Sequence, residues 1–291
     1  MRTDLESPVR NRLLLVAAGL LFSTGGAAIK AASLTGWQVA SFRSGLAAIV
    51  LLAAIPNARR KWHWRMLGVA MAYAATLILF VLANRLTTSA NAIFLQSTAP
   101  LYVLLLGPLL LHEPIRRADL VYMLAVGAGL TLFFAGSETT VATAPDPRRG
   151  NLLALGSGVT FALVLTGLRW QGRQGGAESG IATVAAGNLI ACAVVLPMAL
   201  PLHNFTARDA AVILYLGAAQ VGLAYWCLTR ALRHVPAFEA TTMLQVEPAM
   251  NPVWSWLAHG ERPSLWAFAG GAVIVAATLL NTWFGRRRTI S

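Results

Sequence analysis

The chain has 291 residues, 57% of them hydrophobic and only 12% charged, with a mean hydropathy of +0.62 and a formal net charge of +12. A disordered chain is far less apolar and is excluded, and a soluble domain, whose charged share is roughly a quarter, fits poorly. The basic excess does not point to nucleic acid either, because Lys and Arg sit in short connections between apolar stretches and form no basic face or domain.

Ten apolar stretches follow one another at 13–31, 37–55, 66–84, 89–111, 120–136, 150–168, 181–200, 210–229, 237–258 and 265–284. They hold 198 residues but only four of the 34 charges. About 20 residues at 1.5 Å per residue cross the roughly 30 Å hydrocarbon layer, so each stretch is a predicted transmembrane helix. The expected fold is an all-α polytopic membrane protein of ten helices. The first stretch is followed within six residues by a second and reads as a retained helix rather than a signal peptide. Cys192 and Cys227 fall inside stretches, lack metal-ligand spacing and read as packing residues. No cofactor or metal is expected. The expected partners are the lipid bilayer and a small-molecule substrate, with no nucleic acid, and the expected state is a monomer.

Ten spans put both termini on one side. With the N-terminus inside, the inner segments carry sixteen basic residues, including Arg59, Arg60, Lys61, Arg116, Arg117, Arg169 and Arg173. The outer loops carry Arg85, Arg148, Arg149, Arg208 and Arg262, with Lys30 at the outer end of the first span. Basic loops resist translocation, so both termini are expected in the cytoplasm.

The chain also repeats internally. A shift of 148 residues superposes Ala83 on Ala231, Arg85 on Arg233, Ala92 on Ala240, Pro100 on Pro248, Leu109 on Leu257 and Glu113 on Glu261; a shift of 139 superposes Gly19 on Gly158, Phe22 on Phe161 and Lys30 on Arg169. The chain reads as two five-span halves, 1–136 and 150–291, joined by a loop at 137–149. Five is odd, so the second half enters the membrane from the opposite side. That is the arrangement of secondary transporters with inverted repeats and a midplane site between them.

The segment from Asn84 to Glu113 (NRLTTSANAIFLQSTAPLYVLLLGPLLLHE) and the one from Leu232 to Glu261 (LRHVPAFEATTMLQVEPAMNPVWSWLAHGE) resemble the two copies of the EamA domain of the drug/metabolite transporter superfamily. In each copy a small-residue entry leads to a mid-span proline and a terminal glutamate. Leu21-Phe22-Ser23 with Lys30, and Phe42-Arg43 before a Leu/Ala run, are also similar to that family, whose frequent Trp-Gly-Ser is replaced here by Phe22-Ser23-Thr24. Among its characterised types, the YddG-type aromatic amino-acid exporters are the ones it resembles. The resemblance implies export of small metabolites, aromatic or other neutral amino acids first, through a bacterial inner membrane.

An ionised group at the bilayer centre costs about 2.5–3.5 kcal/mol on insertion scales, so the four charges within spans each carry a reading. Glu239 lies near a cytoplasmic helix start, where water reaches it. Lys30 is expected to snorkel to the outer interface, or to draw anionic substrates to the outer mouth. Arg43 lies about 9 Å inside the outer edge and must face protein, carbonyls or a watery cavity, which leaves two roles: tying the second span to a neighbour, or contacting a substrate carboxylate. Glu247 precedes Pro248 near mid-span. Pro248 and Pro252 each remove a backbone donor, freeing the carbonyls of Leu244 and Pro248. A broken helix beside a carboxylate could bind an ammonium group or a proton; alternatively Glu247 is a neutral acid that donates to one of those carbonyls.

Pro100 occupies the equivalent place in the fourth span, with Gln96 before it and Ala99 where Glu247 stands. Unlike chemistry thus faces one cavity, as an asymmetric substrate needs. Pro100, Pro248 and Pro252 are the expected helix breaks. Phe22, Ser23, Arg43, Tyr73, Thr76, Gln96, Ala99, Phe161, Gln220 and Glu247 are the candidate substrate-binding residues, with Phe22, Tyr73 and Phe161 either stacking on an aromatic substrate or packing.

Competing classes fit less well. There is no HExxH and no aspartate or histidine inside a span, so an intramembrane protease lacks its ligands or bases. No Walker A sequence is present, and no ring of like charges suggests a channel. A non-enzymatic carrier working by alternating access is the expected function; a carrier of sugars, nucleotide sugars or drugs and an intramembrane enzyme are the alternatives.

Overall fold

A computed structural model describes residues 8–59, 62–64, 66–110, 117–135, 140–173, 179–231, 243–244 and 246–287. Glu113 and Glu239, and with them the repeat match and the cytoplasmic-end reading made for them, lie outside these residues.

Among the described residues the only β pairing is an isolated bridge between Val141 and Ala144. The first apolar stretch folds as two helices, α1 (Pro8–Ser23) and α2 (Gly25–Ala31), separated at Thr24. The Thr24 hydroxyl bonds to the carbonyl of Leu21 at 2.7 Å and meets the Tyr215 hydroxyl at 2.6 Å, offering the backbone an alternative to continuing the helix. Gly25 and Gly26 follow because space demands them: a Cβ on Gly25 would lie 2.7 Å from Gln220 Nε2, and one on Gly26 2.7 Å from Ser89 Cβ. Helix α3 (Gly36–Ala54) opens on a capping box in which the Gln38 amide donates to Thr35 Oγ1 at 3.2 Å and the Thr35 amide to Gln38 Oε1 at 3.0 Å.

A short α4 (Pro56–Arg59) leads to α5 (Met66–Leu86). The fourth stretch is α6 (Ser89–Gln96) and α7 (Ala99–Leu110), broken at Ser97–Thr98, two residues ahead of the expected Pro100. The proline ring crowds the carbonyl of Gln96 and offers it no donor, so the break forms before the proline. Helices α8 (Arg117–Ala135), α9 (Pro147–Arg173) and α10 (Ser179–Ala199) follow, then α11 (Ala207–Leu214), a π-helical stretch from Tyr215 to Leu223, and α12 (Ala224–Ala231). The last described helices are α13 (Val246–His259) and α14 (Leu265–Arg287).

Among the described residues, seven helical segments are long and apolar enough to cross a membrane: Val9–Ala31, Gly36–Ala54, Met66–Leu86, Ser89–Pro108, Pro147–Leu168, Gly180–Ala199 and Ala207–Leu228; Asp119–Ala135 and Leu265–Leu280 are shorter apolar helices. The protein is an all-helical polytopic membrane protein. Its most extensive packings join α5 to α9, α3 to α10 and α8 to α14, while α1 lies against α12 and α13. Where α8 meets α14 the backbones touch, since a Cβ on Gly270 would lie 2.5 Å from the Gly129 carbonyl oxygen.

Polar contacts gather the connections at one end of the bundle. Asp209 accepts from the Ser33 amide and hydroxyl at 2.7 and 2.6 Å, Arg85 donates to the carbonyls of Ile29, Ala32 and Leu34, and the Asp146 amide donates to Leu86. Lys30 belongs to this end and corrects one expectation. It does not snorkel to the interface: its side chain is 5% exposed and paired with Glu261, an acceptor strong enough to hold it inside.

Candidate functional site

The break in the first stretch carries Phe22 and Ser23 into the bundle. The Phe22 ring meets Tyr225 of α12 edge to face at 5.1 Å between centroids, and Tyr225 meets Tyr73 of α5 in the same manner at 5.6 Å. The two tyrosine hydroxyls share a hydrogen bond, and the Asn188 amide of α10 donates to Tyr73 at 3.3 Å. Gly187 lets the tyrosine lie flat on α10, since a Cβ there would be 2.5 Å from the Tyr73 ring. Phe161 packs at the border of the same cluster.

Arg43 lies behind this aromatic row. It is 1% exposed, one of the largest side chains to be fully enclosed. Its described hydrogen bond runs from Nη2 to the Leu77 carbonyl of α5 at 3.4 Å, and its Nε has no partner among the described residues. The guanidinium acts electrostatically on both Tyr73 and Tyr225. On the other side Tyr225 feels the half-buried Glu247 carboxyl of α13. A cation, two linked hydroxyls and a carboxyl are thus brought from α3, α5, α12 and α13 near enough for Tyr225 to feel both charges.

The π-helical stretch brings Gln220 against the same break. Its Nε2 donates to the Phe22 carbonyl at 3.5 Å, while its Oε1, buried, has no partner among the described residues. One face of α13 closes the group: the Trp254 indole donates to Ser23 Oγ at 2.9 Å, and Ser23 donates to the Leu20 carbonyl at 2.7 Å. Ser23 is therefore fully buried with its hydroxyl engaged at both ends.

A second polar group lies one turn along α5. Gln96, the last residue of α6, donates to Ser157 Oγ at 2.7 Å, Ser157 donates to the Thr76 carbonyl at 3.3 Å, and Thr76 Oγ1 lies 2.9 Å from Thr160 Oγ1 and 2.8 Å from the Ala72 carbonyl, with one proton to give to either. Ala99 begins α7 and is 1% exposed.

The expected breaks come out differently. Pro100 is the second residue of α7, a position where a missing donor costs little, and Pro248 follows closely on residue 245, which lies outside the described residues. Pro252 is corrected: α13 runs through it without interruption, the loss of one backbone bond being absorbed within a packed helix. Helices are interrupted at Thr24 and, just ahead of Pro100, at Ser97–Thr98, and the eighth stretch is widened from Tyr215 to Leu223. Sequence reasoning missed Tyr225, Asn188 and Trp254. The Tyr225-Trp226 pair inside an apolar stretch was the available signal, since both side chains carry a donor that must find a partner when buried.

A membrane bundle whose helices break at depth, with charged and aromatic groups turned inward and small connecting loops, has the build of a solute carrier. The profile of the EamA-like transporter family matches residues 11–135 and again 148–283. The chain belongs to that family. Among curated proteins it is 30% identical over 217 residues to the threonine/homoserine exporter RhtA of Salmonella typhimurium, covering 72% of this chain and 68% of that one. It is 25% identical over 280 residues to the pseudopaline exporter CntI of Pseudomonas aeruginosa, covering 92% and 94%. A protein of known crystal structure superposes with a TM-score of 0.64 over 97% of this chain and 99% of its own, at 19% identity, a likeness of fold.

Proposed function

We propose that the protein is a ten-helix carrier of the bacterial inner membrane that exports neutral amino acids by alternating access, with both termini cytoplasmic. Spans 1 to 5 (1–136) and 6 to 10 (150–291) form inverted halves joined by 137–149. The packing supports that reading. Exchanging halves turns the α5–α9 contact into the α12–α1 contact and the α7–α9 contact into the α13–α1 contact, and it maps α3–α10 and α8–α14 onto themselves. The glycines obey the same exchange. A Cβ on Gly19 would meet Val246 at 2.4 Å and Leu244 at 3.7 Å; one on Gly158 would meet Thr98 at 3.3 Å and Gln96 at 3.4 Å, the residues 148 positions earlier.

The observation that carries the substrate reading is the group of Arg43, Tyr73, Tyr225 and Glu247. An enclosed guanidinium with an unmade bond takes a carboxylate, the carboxyl of the group takes an ammonium group, and Phe22, Phe161 and the tyrosines border the side chain. The relatives exporting threonine, homoserine and pseudopaline support a metabolite bearing amino and carboxyl groups. Purified protein in sealed liposomes, loaded in turn with threonine, homoserine, phenylalanine, a sugar and a nucleotide sugar, tests this. Counterflow is expected for an amino acid; transport of the sugars with no amino acid moved contradicts the proposal. Phenylalanine against threonine decides whether the aromatic border admits a ring.

A further inference from the structure

Lys30, next to last in α2, is held in a cage that the substrate site does not use. Its ammonium donates to the Thr87 carbonyl at 2.7 Å, to the Thr143 carbonyl and to Glu261 Oε1. The other oxygen of Glu261 accepts the Ser89 amide, the first of α6, at 3.0 Å. The Lys30 and Glu261 side chains are 5% and 2% exposed. Close by, His259 Nε2 lies 2.8 Å from the Ala27 carbonyl oxygen, a second tie between α13 and α2.

Three donors of one ammonium are thus spent on three separate segments, the connection before α6, the loop near Ala144, and the connection after α13. Moving any of them away strands a buried charge, which is costly, whereas the intact pair adds little net stability over an apolar packing of the same volume. Such a contact holds two arrangements apart better than it holds a fold together. Two further features favour motion here. Thr24 separates α2 from α1, so α2 can tilt while α1 stays. Arg85 acts electrostatically on Lys30, so loss of Glu261 leaves two cations facing one another.

We propose that Lys30 and Glu261 form the latch that closes this end of the transport path, released when α2 tilts about Thr24. The proposal rests on the alternating-access reading. It is tested with the full chain carrying Cys192→Ser, Cys227→Ser and a reporter, Ser97→Cys, at the mid-depth break. A membrane-impermeant thiosulfonate is applied in turn from each side of oriented vesicles.

With Glu261→Gln, which keeps size and an acceptor for the Ser89 amide, or with Lys30→Met, labelling from the α2 end is expected to accelerate at least about tenfold and labelling from the opposite end to slow, the signature of a population shift. Equal acceleration from both ends means a loosened fold and overturns the latch, as does unchanged labelling. A reversible thiosulfonate cross-link between Lys30→Cys and Glu261→Cys gives the second measurement. Counterflow should fall at least about tenfold and return on reduction, since a latch must open every cycle. Undiminished counterflow in the cross-linked protein makes the pair a permanent staple and overturns the proposal. If no compound is moved by the parent protein, the carrier reading fails, while the two-sided labelling still decides the latch.

Discussion

Two polar groups lie one turn apart on α5 and differ in how far their hydrogen bonds are made. Around Thr76, the chain of Gln96, Ser157 and Thr160 closes on itself, with each described donor directed at a hydroxyl or a carbonyl. Around Tyr73, Arg43 Nε, Gln220 Oε1 and Asn188 Oδ1 are buried without partners among the described residues. An unmade buried bond costs about 1–3 kcal/mol, so a fold keeps several together only where something other than stability is served. The difference supports the proposed site: the Thr76 group joins α5, α6 and α9, and the Tyr73 group keeps unmade bonds that the proposed substrate would complete.

Substitutions can break or sharpen that contrast. The largest effect is expected from Arg43→Met. Counterflow of the amino acid should fall about a hundredfold, the worth of a charge-assisted bond to a carboxylate lost in a buried site, while the unfolding temperature in detergent holds or rises because an enclosed charge has gone. Loss of folding together with transport would make Arg43 a structural tie. Glu247→Gln comes second, with an expected loss of about tenfold and a transport rate that no longer varies with pH where the parent's does, since the carboxyl of the group is removed. An unaltered pH profile would assign Glu247 to structure.

Tyr225→Phe removes the hydroxyl linking the two charges and should raise KM about three- to tenfold with little change in maximal rate, the cost of one neutral hydrogen bond. The smallest functional effect belongs to the closed group. Ser157→Ala should lower stability by about 1 kcal/mol and leave transport within about twofold. A larger effect on KM than that of Tyr225→Phe would reverse the assignment of the two groups.

Much of this architecture is legible in the amino-acid order, because membrane crossing depends on composition over some twenty residues and on little else. The apolar stretches, the inward Arg43 and the mid-span Glu247 are readable one by one. Pairings are less so. Lys30 reads as an interfacial cation from its position near a span end, and its true partner Glu261 lies 231 residues further along. Tyr73 and Tyr225 face one another only once α5 and α12 are packed, and nothing local announces their shared hydrogen bond. The break expected at Pro252 is absent, and one at Thr24 is unannounced, for a different reason. Proline is a visible signal but is tolerated in the first turn of a helix and, at Pro252, within one, whereas threonine hydroxyls and close-packed glycines at Thr24–Gly26 interrupt a helix without a proline.

The central claim is that Arg43 holds a substrate carboxylate, and binding measures it without requiring transport. Calorimetric titration of the purified protein with the amino acid moved fastest in counterflow, and with the amine lacking its carboxylate, should show saturable binding of the acid alone, abolished by Arg43→Met. Equal affinity for acid and amine, or an Arg43→Met protein that binds the amino acid as the parent does, would contradict the account.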